Sequence, residues 1–298
     1  MEGTSATRYN VGGVRLDRPF KVRRLGHFGF NVRDVPACLK FYTDVLGFSV
    51  SDPIDFGSRI EDEDLRNTLG HGTGYFLRHG TDHHSFVVFP RQILDQLAGP
   101  SKRNDATINQ ITWQVGSLRE VTTAEEWLRA LENPIRRSGR DTPGSNWHVY
   151  PSDPNGNINE LYYGIEQIGW DGISKPGIFR KRGFQQKPDL PQISEYDEVQ
   201  AALKEGANLL EGTRHTYDMK AKYDVGGILL PRPFKVIRIG PVRLFVDDME
   251  EALAFYTERM GLTVTEEITY DDHRCIFLRA NTEHHSLALY PLALRDEL

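Results

Sequence analysis

The sequence predicts an α+β fold built from βαβββ modules, with one complete pair of modules followed by a C-terminal half-pair. Three observations support this prediction: a long internal repeat, strand-like alternation beside helix-like spacing within each copy, and a middle segment with the same element order. Paired modules of this kind are expected to form a curved, cup-like mixed sheet with the helices outside.

The internal repeat joins the N-terminal and C-terminal parts of the chain. GHFGFNVRDVPACLKFYTDVLGFSV, from Gly26, matches GPVRLFVDDMEEALAFYTERMGLTV, from Gly240, at an offset of 214 residues. FLRHGTDHHSFVVFP, from Phe76, matches FLRANTEHHSLALYP, from Phe277, at an offset of 201 residues. The two offsets differ by 13 residues, so the first copy carries an insertion of that length, which we place between residues 52 and 74.

The elements of the first copy follow from local patterns. Leu25 to Val32 alternates like a half-buried strand. Asp34 is suited to cap a helix that runs to Leu46, and Gly47 is suited to end that helix. Short β-rich runs follow, the last of them from Ser85 to Phe89.

The middle segment, residues 107 to 164, repeats the order strand, helix, strands. INQITWQV predicts a strand, and a turn is expected at Asp153-Pro154-Asn155-Gly156. The remaining predicted elements are a helix from Val121 to Asn133 and strands from Trp147 to Tyr150 and from Ile158 to Tyr163. The segment therefore pairs with the first copy to form one complete domain.

These elements divide the chain into four parts. We predict an N-terminal extension over residues 1–24, a paired βαβββ domain over 25–165, a linker over 166–236 and a third βαβββ module over 237–298. The linker contains an amphipathic helix predicted from Glu195 to Glu211. The third module is half of a second domain, so we expect either a truncated chain or completion within a homo-oligomer.

Composition and charge indicate which partners and which compartment to expect. The formal net charge is -6 and the basic residues are scattered, which argues against nucleic acid or an anionic membrane as partner. The chain shows no run of apolar residues long enough for a membrane span and no signal peptide, so we expect a cytoplasmic protein. Cys38 and Cys275 are too few for a disulfide framework or a thiolate metal site.

Alternation along the predicted strands also gathers polar side chains on one sheet face. His27 and Gln110 lie on the polar faces of their strands. His148 shares a face with Tyr150, and Glu160 lies on another strand of the same segment. Imidazole, carboxamide and carboxylate groups that converge in a cup make a site for a transition metal plausible.

The chain resembles the vicinal oxygen chelate superfamily, which includes glyoxalase I, bleomycin-resistance proteins and type I extradiol dioxygenases. The resemblance rests on Gly26-His27-Phe28, FYTDVLGF, Asp82-His83-His84, and the DPNG turn followed by Glu160-Leu161-Tyr162. It covers residues 25–165 and, as a half-copy, residues 237–298. The paired histidines and the position of Tyr150 are most similar to the extradiol ring-cleaving dioxygenases.

The resemblance implies a metal centre with one departure from the dioxygenase pattern. His27 matches the first metal ligand and Glu160 matches the carboxylate ligand. Gln110 stands where dioxygenases have a second histidine ligand, although glyoxalase I members use Gln as a ligand. The resemblance implies Fe(II), and Gln110 leaves Mn, Zn or Ni open because its carbonyl oxygen is a weaker donor than imidazole.

The same resemblance implies catalytic and substrate-binding residues. His84 matches the acid–base histidine and Tyr150 the tyrosine that contacts the substrate oxygen, while Asp141 stands where another pocket histidine is usual. His148 and Asn146 are predicted to bind substrate. The pair His284-His285 recurs in the third module, where Pro241 replaces the first ligand, so a structural role for the paired histidines stays open.

Three functions remain in competition at this point. The first is a metal-dependent dioxygenase that cleaves a catechol-like ring with O₂, its partners being a small aromatic substrate and oxygen. The second is an isomerase or lyase resembling glyoxalase I, which would stabilise an enediolate on a divalent ion. The third is a metal-free protein that binds a hydrophobic small molecule, as bleomycin-resistance proteins do.

Overall fold

The computed structural model describes residues 8–98, 107–140, 144, 147–176, 179, 190–191 and 194–297. Asp141 and Asn146, two of the predicted site residues, lie outside the described residues. Among the described residues, no helix combines the length and the apolar character that crossing a membrane requires.

The first module has the predicted element order and follows a short hairpin. The hairpin consists of β1 (Tyr9–Val11) and β2 (Val14–Leu16). The module consists of β3 (Arg24–Val32), α1 (Val35–Lys40) with a π-helical turn over Phe41–Val45, β4 (Ser49–Asp55), a 3₁₀ turn over Gly57–Arg59, α2 (Glu63–Leu69), β5 (Thr73–Arg78), β6 (Phe86–Pro90) and α3 (Arg91–Ala98). The Asp34 side chain accepts a hydrogen bond from the Ala37 backbone at 2.9 Å, which confirms the predicted cap.

The second module joins the first in one continuous sheet. It consists of β7 (Ile108–Gln114), α4 (Leu118–Ala130), β8 (Ile135–Arg140), β9 (Trp147–Pro151) and β10 (Asn159–Tyr163). The eight strands lie in the order β4-β5-β6-β3-β7-β10-β9-β8. The two modules meet where β3 pairs antiparallel with β7, and we call this pairing the seam.

The third module forms a separate four-stranded sheet. It follows α5 (Glu195–Lys204), a 3₁₀ turn over Leu209–Glu211, and a hairpin of β11 (Tyr223–Val225) and β12 (Ile228–Leu230). The module consists of β13 (Val242–Val246), α6 (Met249–Ala254) with a π-helical turn over Phe255–Arg259, β14 (Thr263–Tyr270), β15 (His273–Arg279), β16 (Leu287–Pro291) and α7 (Leu292–Glu297). Its strand order is β13-β16-β15-β14, which repeats half of the larger sheet.

Apolar packing joins the third module to the second. Trp113 and Leu161 of the large sheet belong to one buried cluster with Leu244 and Tyr256 of the third module. The buried Tyr256 hydroxyl also donates a hydrogen bond of 2.9 Å to Asp153. The apolar face of the large sheet is therefore covered, and the opposite, polar face carries the candidate site.

Two predicted helix boundaries are wrong, and one helix was not predicted. Helix α4 begins at Leu118 rather than Val121, because the Ser117 hydroxyl accepts a hydrogen bond from the Glu120 backbone and caps the helix there. The helix predicted from Glu195 to Glu211 ends at Lys204, and only a short 3₁₀ turn follows. The insertion of the first module contains helix α2, which starts at a cap formed by Asp62.

Candidate metal centre

The candidate site lies at the seam, on three neighbouring strands. His27 of β3 is the register partner of Thr112 of β7, and Thr112 is in turn the register partner of Glu160 of β10. Gln110 lies two residues before Thr112 on the same face. Register therefore places His27, Gln110 and Glu160 side by side, although they come from two different modules.

Three side-chain atoms form a small triangle at this point. Glu160 Oε2 lies 3.3 Å from His27 Nε2 and accepts a hydrogen bond of 2.9 Å from Gln110 Nε2. The Gln110 and His27 nitrogens are 3.2 Å apart. The Thr112 hydroxyl donates a further hydrogen bond of 3.0 Å to Glu160 Oε2 and so fixes the carboxylate.

Glu160 remains ionised although its side chain is wholly buried. Burial acts to raise its pKa, but His27, His148 and a hydrogen bond from Tyr150 outweigh burial and lower the pKa to about 2. A buried carboxylate in this state is an anionic ligand that is already prepared for a cation.

The triangle has the dimensions of one face of a metal coordination shell. Ligands at right angles around a divalent ion, with bonds of about 2.1 Å, lie about 3 Å apart. Half a turn of the Gln110 carboxamide would exchange its nitrogen for its oxygen. Among the described residues, no group of three His, Cys, Asp or Glu side chains is arranged to hold a metal, so a three-ligand site here requires Gln110.

His84 is the next group in contact with the triangle. Its Nε2 lies 3.3 Å from His27 Nε2, and its Nδ1 lies 3.0 Å from Nδ1 of His83. Burial together with the neighbouring His27 and His83 lowers the pKa of His84 well below its usual value. His84 is therefore neutral at pH 7, and its Nε2 faces the triangle; its predicted acid–base role stays a prediction.

Tyr150 and His148 lie on the other side of Glu160. Their rings pack edge to face with centroids 4.5 Å apart, and His148 Nδ1 lies 3.7 Å from Glu160 Oε1. The Arg137 guanidinium lies over the Tyr150 ring at 4.6 Å. The predicted roles of the two residues in substrate binding stay predictions, but both contact the carboxylate rather than lying apart from it.

Tyr162 packs beside His27 and makes Gly26 necessary. The rings of Tyr162 and His27 lie 5.4 Å apart, and a Cβ at Gly26 would come within 2.3 Å of the Tyr162 ring. In the described residues, neither the Tyr162 hydroxyl nor Nδ1 of His27 has a hydrogen-bond partner. Burial raises the pKa of Tyr162, so its hydroxyl keeps its proton.

Two neighbours of the site were not predicted from the sequence as site residues. Thr112 contacts Glu160, and its place on the polar face of the strand INQITWQV is the signal that could have identified it. Asp52 lies 2.7 Å from His83, and its counterpart in the repeat, 214 residues later, is the carboxylate Glu266. Comparison of the two copies at that position was the available signal.

A large cavity of about 600 Å³ lies elsewhere, on the opposite face of the sheet. Phe28 and Phe30 line it from β3, and Val242 and Leu244 line it from the third module. At the seam, by contrast, the side chains of His27, His84 and Glu160 are at most 3% exposed.

Comparison with known proteins identifies the fold family. The sequence model of the Glyoxalase/Bleomycin resistance protein/Dioxygenase superfamily matches residues 24–161 and 238–297, which is more than half of the chain. The chain belongs to this superfamily. The resemblance predicted from the sequence motifs is therefore confirmed, and the two matched ranges correspond to the paired modules and the third module.

Relatives within the superfamily include ring-cleaving enzymes. The 3-methylcatechol 2,3-dioxygenase of Pseudomonas putida is 31% identical over 147 residues, which are 48% of this chain and 43% of that protein. The chain therefore spans less than half the length of this curated relative.

Solved structures with the superfamily fold match nearly the whole chain. Homoprotocatechuate 2,3-dioxygenase from Arthrobacter globiformis aligns with a TM-score of 0.52 at 21% identity, over 90% of this chain and 59% of that one. A Mn(II)-bound glyoxalase from Novosphingobium aromaticivorans aligns with a TM-score of 0.51 at 17% identity, over 91% and 62%. At these identities the likeness establishes the shared fold and confirms the predicted α+β architecture.

Proposed function

We propose that this chain is a metal-dependent, extradiol-type dioxygenase that opens a catechol-like ring with O₂. The observation that carries the proposal is the triangle of His27, Gln110 and Glu160 with the neutral His84 beside it. The 31% identity to a 3-methylcatechol 2,3-dioxygenase supports the substrate class. A divalent metal held at this triangle, with Fe(II) as the first candidate, would supply a Lewis acid that brings a catecholate and O₂ together.

The side chains of the chain itself perform the remaining tasks. Glu160 supplies the negative charge, and Thr112 and Tyr150 orient it by hydrogen bonds. His27 supplies an imidazole nitrogen from the other module. His84 Nε2 faces the same point and can accept the proton of a substrate hydroxyl, which becomes an oxyanion as the imidazole becomes a cation.

Gln110 specifically favours a second function. A carboxamide oxygen is a neutral donor that suits Mn(II) better than it suits an Fe(II) ion that takes part in redox chemistry. With such an ion, the same side chains would stabilise an enediolate in an isomerase or lyase reaction. The structural likeness to a Mn(II)-bound glyoxalase is compatible with this alternative.

Metal analysis followed by oxygen uptake separates these functions. The full chain is purified without oxygen, its Fe, Mn, Zn and Ni contents are measured, and O₂ consumption is recorded with catechol, 3-methylcatechol and larger catechols. We expect stoichiometric iron and uptake of O₂ that depends on catechol. A His27→Ala variant serves as the control, since it should lose both the metal and the uptake.

Two other outcomes would contradict the dioxygenase proposal. Stoichiometric Mn, Zn or Ni without O₂ uptake contradicts the dioxygenase proposal and supports the isomerase. Failure of every one of these metals to bind contradicts both enzymes and supports a metal-free binding protein.

A further inference from the structure

Asp52, His83 and His84 form a continuous buried line that leads to the candidate metal centre. His83 Nε2 lies 2.7 Å from Asp52 Oδ2, and His83 Nδ1 lies 3.0 Å from His84 Nδ1. The three side chains are at most 3% exposed. We call this line the Asp–His–His row, and it ends where His84 Nε2 meets His27.

The hydrogen-bond chemistry of the row determines where its protons lie. An ionised aspartate can only accept hydrogen bonds, so His83 must carry a proton on Nε2. In the arrangement that gives His83 this single N–H, its Nδ1 is an acceptor and His84 donates from its own Nδ1. Nε2 of His84 is then left without a proton, and it is this nitrogen that faces the seam.

Two further contacts hold the row in place. The Thr213 hydroxyl, from the linker, donates a hydrogen bond of 2.7 Å to Asp52 Oδ1. Gly144 closes the row from the other side, since a Cβ there would lie 3.0 Å from His84 Cε1 and 3.2 Å from His83 Nδ1. The row is therefore fixed at its carboxylate end and covered by backbone where the two rings meet.

The third module contains a corresponding row, with Glu266 in place of Asp52. His284 Nε2 lies 3.2 Å from Glu266 Oε2, and its Nδ1 lies 2.8 Å from Nδ1 of His285. Glu266 and His284 are half exposed, and Pro241 occupies the position of His27. The arrangement is therefore part of the module itself, and the first module differs in burying it against a ligand of the candidate site.

We propose that Asp52 and His83 are positioning residues that hold His84 as the tautomer with its proton on Nδ1. The unprotonated Nε2 of His84 is thereby directed at the seam, where it can accept a proton from a bound hydroxyl group. This last step rests on the proposed function, whereas the tautomer itself does not.

Nitrogen NMR of the full, metal-free chain tests the tautomer directly. The histidines are labelled with ¹⁵N, and long-range ¹H–¹⁵N correlation spectra distinguish protonated from unprotonated ring nitrogens. The His84 signals are assigned by their loss in His84→Gln. We expect His83 protonated on Nε2 and His84 protonated on Nδ1 in the wild type, and a wild-type His84 protonated on Nε2 overturns the proposal.

Substitutions then test whether Asp52 is the cause of the His84 tautomer. Asp52→Asn, which replaces the carboxylate by a group that can also donate, should give His84 a mixture of tautomers. The matched Glu266→Gln in the third module should leave the His84 spectrum unchanged. A pure Nδ1–H tautomer of His84 in Asp52→Asn contradicts the positioning role. If Asp52→Asn does not fold, Thr213→Val replaces it, and we expect a smaller change in the tautomer populations of His84.

The experiment also separates this proposal from the proposed function. If the wild type has the expected tautomer but no catechol stimulates O₂ uptake, the row is retained and the dioxygenase is rejected. If O₂ uptake is present, Asp52→Asn should lower kcat more than it changes KM, because the group that binds substrate is unaltered. An equal loss in Glu266→Gln would show a general structural effect instead and would overturn the assignment.

Discussion

In the first module the Asp–His–His row is buried and ends at His27, whereas in the third module the corresponding row is open to solvent and Pro241 stands at the position of His27. The two modules share strand order, helix position and the paired histidines. They differ in their neighbours: β3 pairs with β7 of a second module, while the described residues give β13 a partner on one side alone, β16. A single module supplies a row of a carboxylate and two histidines, whereas the candidate metal centre needs two modules that meet at a seam.

The largest expected effect is the loss of metal affinity when Glu160 is replaced. Glu160 belongs to the paired modules and not to the third module. Glu160→Ala should lower the affinity for a divalent metal by more than about 100-fold, because even the groups behind metal ligands contribute about 10–100-fold. Isothermal titration with Mn(II) or anaerobic Fe(II) measures the change. The reciprocal variant, Pro241→His in the third module, should create no metal site, since the described residues give β13 no second partner strand. Gain of a second bound metal would contradict the seam requirement.

The next prediction concerns stability, and it compares the row of the first module with the corresponding row of the third module. Asp52→Asn should lower the free energy of unfolding by about 2 kcal/mol, because a buried charged hydrogen bond is weakened. Glu266→Gln should change it by less than about 0.5 kcal/mol, since solvent screens an exposed ion pair. Urea unfolding of the two variants measures both values, and equal losses would show that burial does not distinguish the rows.

Gln110→His should raise the affinity for Fe(II) by about 10-fold. A second imidazole completes the set of two histidines and one carboxylate that suits Fe(II), in place of a neutral carboxamide. Metal titration monitored by protein fluorescence is a suitable measurement, with Gln114→His, further along the same strand face, as the matched control. Unchanged iron affinity in Gln110→His would place residue 110 outside the ligand set.

The smallest expected effect is at Gly144, which covers the row of the first module. Gly144 has a φ of +93°, and a Cβ there would press on both His83 and His84. Gly144→Ala should therefore cost about 1 kcal/mol in the free energy of unfolding. Thermal unfolding measures the cost, and Gly80→Ala is the control, since a Cβ there has no neighbouring heavy atom within 4 Å. Equal costs at both positions would contradict the close contact.

Much of the fold was predictable because the signals are local or repeated. The repeat identified two modules, the alternation around His27 assigned the polar face, and Asp34 marked the start of α1. The start of α4 was predicted three residues late, although Ser117 and Glu120 have the spacing of a capping box, a local signal that the prediction did not use. Helix α2 lies within the insertion, for which the repeat offers no second copy as a guide.

The site was predictable only in part, for a different reason. His27, Gln110 and Glu160 were identified by resemblance, and the register of three strands brings them together as expected. Asp52 and Thr213 lie 161 residues apart and meet only through tertiary folding. No local pattern contains such a contact, so the hydrogen bond between Asp52 and Thr213 became visible only in the structure.

An ion bound at the seam would couple the folding of the two modules to its own binding. His27 belongs to one module and Glu160 to the other, so any ion bound by both acts as a crosslink that exists only in the folded state. Ligand present at 100 times its dissociation constant would add about 2.7 kcal/mol to the free energy of unfolding. Metal loading would then lengthen the lifetime of the folded chain independently of any reaction.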